Sequence, residues 1–123
     1  MLRNLTINIV ASLALAAAAT AALAHAQLQQ AVPAVGGTVT ASPREIRLKF
    51  SEGLEPRFSG IALSTQAGEP VKIGKPAVDP ADNSTFIAPI SQPLKPGAYT
   101  VTWHAVSVDT HKTQGSFTFT LAP

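Results

Sequence analysis

No cysteine occurs anywhere in the 123 residues. Disulfide staples are therefore excluded, and so is thiolate metal chemistry, including blue-copper electron transfer, which needs a Cys ligand. The single methionine is Met1, so no thioether ligand remains once the start of the chain is removed. Charge is also scarce: only 13% of residues are Asp, Glu, Lys or Arg, and the two signs nearly balance. That balance excludes the basic patch that nucleic-acid binding requires. Aromatic residues make up 6% of the chain, too few for a broad aromatic substrate surface. After residue 27 no helical periodicity appears, and no Gly-x-Ser-x-Gly elbow for a hydrolase occurs.

The first two dozen residues have the pattern of a secretory signal peptide. Arg3 and the start amine form the positive end, Leu5 to Leu23 is an Ala-rich apolar run, and small-residue cleavage sites follow. The run is near the minimum for spanning a bilayer, and its alanines drive insertion weakly. Residues 1–24 are read as the leader and 25–123 as one exported domain with one core. Its net charge falls to about +1, because Arg3 is lost while all seven carboxylates stay. Two cuts are open in Ala22-Leu23-Ala24-His25-Ala26. One after Ala24 makes His25 the first residue, and one after Ala26 discards it.

Period-two alternation recurs along the rest of the chain. Ile46, Leu48 and Phe50 alternate with Arg47, Lys49 and Ser51; Tyr99, Val101, Trp103 and Ala105 alternate with Thr100, Thr102 and His104; Phe117, Phe119 and Leu121 alternate with Thr118 and Thr120. Gln27–Val32 reads as an opening strand, Phe58, Ile61 and Leu63 as a second run, Val71 and Ile73 as a short one, and Thr85–Ile90 as another. Gly36-Gly37, Ser42-Pro43, Ala67-Gly68-Glu69-Pro70 and Asp79-Pro80-Ala81-Asp82-Asn83 separate them, and Lys95-Pro96-Gly97-Ala98 suits a type II turn. About seven short strands in a domain of this size predict an all-β, Greek-key sandwich or barrel, cupredoxin-like or immunoglobulin-like.

Chemically active side chains are few. The histidines are His25, His104 and His111. Asp109 and His111 are two apart, which on an extended segment puts both on one side. That is half a metal site, or a surface ion pair at a strand end, which spacing alone favours. His104 alternates with Trp103 and so points away from the core. If the chain stays extended through the intervening residues, which include no Gly or Pro, it lies roughly 23 Å from His111. A Ser107-Asp109-His111 hydrolase is excluded, because a triad needs its histidine between nucleophile and acid.

As the first residue, His25 would offer two nitrogens, its α-amine and Nδ1, which close one chelate ring. With His111 and an Asp109 oxygen the set has three nitrogens and one oxygen, and a sulfur-free, nitrogen-rich set favours Cu(II). Glu52 continues the parity of Ile46, Leu48 and Phe50 into a core-facing position. Either it is an outer or axial carboxylate, or the strand has ended by Ser51.

These residues resemble the CopC/PcoC family of periplasmic copper-binding proteins, close to its YobA-type branch. The resemblance spans the whole of 25–123. It rests on His25 after a cleavage site, on Pro33-Ala34, on FSEGLEPRFSG at Phe50 to Gly60 and on LKPGAYTVTWHAVSVDTHKTQGSFTF at Leu94 to Phe119. It implies a Greek-key β-sandwich and a Cu(II) site of His25, Asp109, His111 and, in some members, Glu52. It also implies a monomeric carrier or buffer in copper uptake or resistance, beside an inner-membrane CopD-type partner. The Met-rich Cu(I) loop of some members has no counterpart here. A histidine-brace copper oxidase or oxygenase is the alternative, although an added carboxylate would fill a position that oxygen chemistry needs open.

Overall fold

The computed structural model describes residues 26–123; the predicted leader and His25 lie outside them. The strands are β1 (Leu28–Val32), β2 (Thr38–Val39), β3 (Glu45–Phe50), β4 (Gly60–Thr65), β5 (Pro70–Val71), β6 (Ala77–Asp79), β7 (Asp82–Pro89), β8 (Gly97–Val106) and β9 (Lys112–Leu121), with a single 3-10 turn at Pro56–Phe58. They form two sheets, ordered β1-β3-β7-β6 and β2-β9-β8-β4-β5. All pairings are antiparallel except that of β2 with β9. The chain changes sheet after β1, β2, β3, β5 and β7, which makes the predicted all-β Greek-key sandwich. No helix among the described residues is long and apolar enough to cross a membrane.

Alternation sets which faces meet. Ile46, Leu48 and Phe50 from one sheet are buried against Tyr99, Val101, Trp103, Ala105, Phe117, Phe119 and Leu121 from the other. Their polar neighbours point outward, because successive strand residues face opposite sides. Phe50 meets Trp103 edge to face at 5.0 Å between centroids, and Tyr99 stacks on its cross-strand partner Phe119 at 5.5 Å.

Several local expectations are corrected. Phe58 does not join a strand. Pro56 opens the 3-10 turn and Phe58 ends it, 62% exposed, so β4 begins only at Gly60. Asp82 is not a breaker but the first residue of β7, because a two-residue loop, Pro80-Ala81, suffices to join it to β6. Asp79 and Asp82 consequently face each other across that hairpin. Like charges so placed repel, and β3 neutralises both from its outward face through Arg47 (3.1 Å to Asp79) and Lys49 (2.8 Å to Asp82). The type II turn at Lys95–Ala98 is also absent. Gly97 has φ +146° and pairs with Leu121 as the first residue of β8. The two strands without a counterpart in the sequence reading, β2 and β6, are too short for alternation to register.

Candidate metal centre

The Asp109–His111 segment is a turn and not an extended strand. β8 and β9 form a hairpin whose loop is Val108–Thr110: Ser107 N donates to His111 O at 2.9 Å, and Thr110 N donates to Ser107 O at 2.8 Å. A three-residue hairpin loop of this kind ends in a left-handed residue, usually glycine. Here Thr110 takes that place with φ +73°. The absence of Gly and Pro therefore did not keep the chain extended. His104 faces Gln114 across the hairpin and sits three residues before Ser107, about 10 Å along β8. As predicted, its side chain is on the outward face and exposed. It packs over Gly60, where an added Cβ would fall 2.4 Å from its ring.

The turn brings the carboxylate and imidazole together. Asp109 Oδ2 is 3.0 Å from His111 Nδ1. The other carboxylate oxygen, Oδ1, accepts from the Ser107 hydroxyl and, at 3.4 Å, from His111 N. The Ser107 hydroxyl, then the His111 ring, hold the Asp109 carboxyl down at about 2, against a smaller opposing effect of desolvation. An ionised carboxylate only accepts hydrogen bonds, so the donor in this contact is an Nδ1–H of His111. Both side chains keep about half their surface in solvent, 43% for Asp109 and 47% for His111.

Two further segments are tied to this turn. Val108 N donates to Gly53 O at 3.0 Å, Glu55 N donates to Val106 O at 2.8 Å, and Leu54 bridges Ser107. The loop after β3 thus lies along the turn. The start of the described chain is tied in turn to that loop: Ser51 N donates to Gln27 O and Gln27 N donates to Ser51 Oγ, both at 2.8 Å. The segment that continues from His25, the Glu52 loop and the Asp109–His111 turn therefore share one end of the sandwich.

Glu52 itself lies past the end of β3, on a bend, half-buried. The strand has ended by Ser51, and the parity argument for an inward carboxylate lapses. Among the described residues no three His, Asp or Glu side chains are grouped closely enough to hold a metal ion, so neither Glu52 nor His104 makes a third member with Asp109 and His111. His25 lies outside the described residues. Ser107 and Thr110 are the two residues whose parts the sequence reading missed. The inward parity of residues 99, 101, 103 and 105 reaches Ser107 and was the available signal; nothing local marked Thr110.

A CopC domain model matches residues 28–122. The chain belongs to the CopC family. It is 45% identical to Protein YobA of Escherichia coli K12 over 98 residues, covering 80% of this chain and 79% of that one. It is 36% identical to copper resistance protein C of Escherichia coli over 109 residues, covering 84% and 86%. Among solved structures of the CopC family, that of CopC from Methylosinus trichosporium OB3b matches with a TM-score of 0.75 at 28% identity, over 80% of this chain and 95% of that one. PcoC from Escherichia coli, described as a methionine-rich copper resistance protein, matches with a TM-score of 0.70 at 39% identity, over 80% and 99%.

Proposed function

We propose that this protein binds Cu(II) in the periplasm and acts in copper homeostasis as a non-catalytic carrier or buffer, serving copper resistance or uptake. The observation that carries the reading is the Asp109–His111 pair on a hairpin turn that hydrogen bonds join, through Gly53 and Ser51, to the segment following His25. The donors fit the ion. They are imidazole nitrogen and carboxylate oxygen without sulfur, a set suited to Cu(II) rather than Cu(I). The methionine-rich character of PcoC has no parallel here, since Met1 is the only methionine.

In this reading His111 ligates through Nε2, because Nδ1 is engaged by Asp109; a carboxylate behind a ligating histidine fixes its ring and raises its basicity. With Nδ1 held in this way the Asp109 carboxylate lies across the ring from Nε2, so it supports His111 from behind, and Glu52 supplies an outer carboxylate from the adjoining loop. His25 contributes its α-amine and Nδ1 after cleavage behind Ala24. Burial supports that cut over the one behind Ala26: Ala26 is fully buried and belongs to the hydrophobic core, so a cut behind it would remove core packing as well as the histidine. The leader 1–24, the monomeric state and an inner-membrane CopD-type partner complete the proposal.

The test is a Cu(II) titration of protein beginning at His25, followed by quenching of the sole tryptophan, Trp103, and by electron paramagnetic resonance. One equivalent should bind with a nitrogen-rich tetragonal signature. A version extended by one residue before His25 should bind orders of magnitude more weakly, because it lacks the amine that closes the chelate ring. Equal affinity in both versions would refute the role of His25. Absence of any Cu(II) binding would leave a β-sandwich that serves interaction alone.

A further inference from the structure

We infer that Ser107 is the positioning residue of the metal pair: its buried hydroxyl fixes the Asp109 carboxylate and, through it, the orientation and tautomer of the His111 ring. The inference deepens the copper reading and rests on it for its consequence in metal binding.

The argument starts from strand parity. Tyr99, Val101, Trp103 and Ala105 face the core from β8, and the next residue on that face is Ser107, which is 0% exposed. An apolar side chain would meet no difficulty there, whereas a buried hydroxyl has to find a partner. Its backbone groups are already committed to the turn, the N–H to His111 O and the carbonyl to Thr110 N. The loop after β3 covers it through the Leu54 bridge. The hydroxyl donates to Asp109 Oδ1, with His111 O a more distant neighbour at 3.3 Å.

The two carboxylate oxygens are thereby divided. Oδ1 is bound to a group anchored in the core, and Oδ2 receives Nδ1 of His111. Asp109 and His111 are both exposed, and an exposed ion pair alone holds its geometry weakly. The rigid element is the serine beneath them. With the serine hydroxyl gone, the carboxylate is free to turn towards water, and the ring loses the acceptor that keeps the proton on Nδ1.

The test compares Ser107→Ala and Ser107→Thr with the parent chain, starting at His25. Nitrogen-15 spectra of the metal-free proteins, taken where the imidazole is neutral, report the His111 tautomer directly. The parent should show the proton on Nδ1. Ser107→Ala should show a mixture and bind Cu(II) about 10- to 100-fold more weakly, with an altered paramagnetic signature. Ser107→Thr keeps the hydroxyl and should restore the tautomer. Should its added methyl prevent folding at a fully buried position, the alanine variant still decides through its tautomer. A folded Ser107→Ala protein with the parent's tautomer and affinity would overturn the inference. If the parent bound no Cu(II), the copper reading would fail, and the tautomer comparison would still judge Ser107.

Discussion

Trp103 and Gly115 face each other across β8 and β9, and the indole fills the space that a side chain at 115 would need. A Cβ on Gly115 would fall 2.7 Å from Trp103 Cζ2 and 3.0 Å from Cε2. Phe50 holds the indole from the other sheet, so the ring has little room to give. Gly115→Ala should therefore destabilise the fold by about 1–3 kcal/mol. Chemical denaturation would measure this, and the position and intensity of Trp103 fluorescence should change with it.

Two residues closer to the hairpin turn, Thr113 stands on the same inward face of β9. Its hydroxyl oxygen is buried and has no hydrogen-bond partner among the described residues. A buried hydroxyl without a partner forfeits its hydration and gains nothing in return. Thr113→Val keeps the shape and removes the oxygen, and should raise stability by about 1 kcal/mol. An unchanged or lowered denaturation midpoint would show that the hydroxyl has a partner after all.

Thr110 closes the Asp109–His111 turn at φ +73°, where a β-branched side chain is strained. Thr110→Gly should relieve more strain than it adds in unfolded-chain entropy, for a net gain of about 1 kcal/mol. Thermal melting should show the gain as an increase of several degrees in Tm. Should the melting point fall instead, the threonine hydroxyl, which donates to Asp109 O at 2.5 Å, is the group that holds the turn.

Asp82 provides a prediction on pH. The Lys49 ammonium, followed by the Ser84 and Thr85 hydroxyls, holds its carboxyl well below the usual carboxylate range. A folded pKa below the unfolded one binds fewer protons in the native state. Its stabilisation is therefore fully present above about pH 4, the ordinary carboxylate value, and is lost as the pH falls below it. Asp82→Asn should lower stability at neutral pH and flatten the loss on acidification. Urea denaturation at neutral and acidic pH would measure both effects. Equal slopes in the two proteins would show that other carboxylates, such as Asp109, carry the acid response.

Much of the fold was legible because its strands bury one face and wet the other. The core residues Ile46, Leu48, Phe50, Val101, Trp103 and Phe119 follow from period two alone, and so does the outward His104. The misreadings fall where parity carries no information. Pro56 turned Phe58 out of its strand, Asp82 started a strand because two loop residues sufficed, and Thr110 took a conformation normally left to glycine. At the candidate site, spacing put Asp109 beside His111 for the wrong reason: a tight turn, and not an extended strand, brings them together.

The amino-acid sequence by itself determined the sandwich, its core faces and which few side chains are chemically able to ligate a metal. It could do so because alternation, turn residues and ligand chemistry are local properties. Only the tertiary structure decided that Ser107 lies beneath the Asp109 carboxylate, that the Glu52 loop runs beside the turn and that the segment after His25 is tied to that loop. Those placements depend on hydrogen bonds between backbone groups distant in sequence, from Val108 to Gly53 and between Ser51 and Gln27. The first forms only once the two sheets have packed and the second once β1 has paired with β3, and burial is what makes an unpaired polar group there costly.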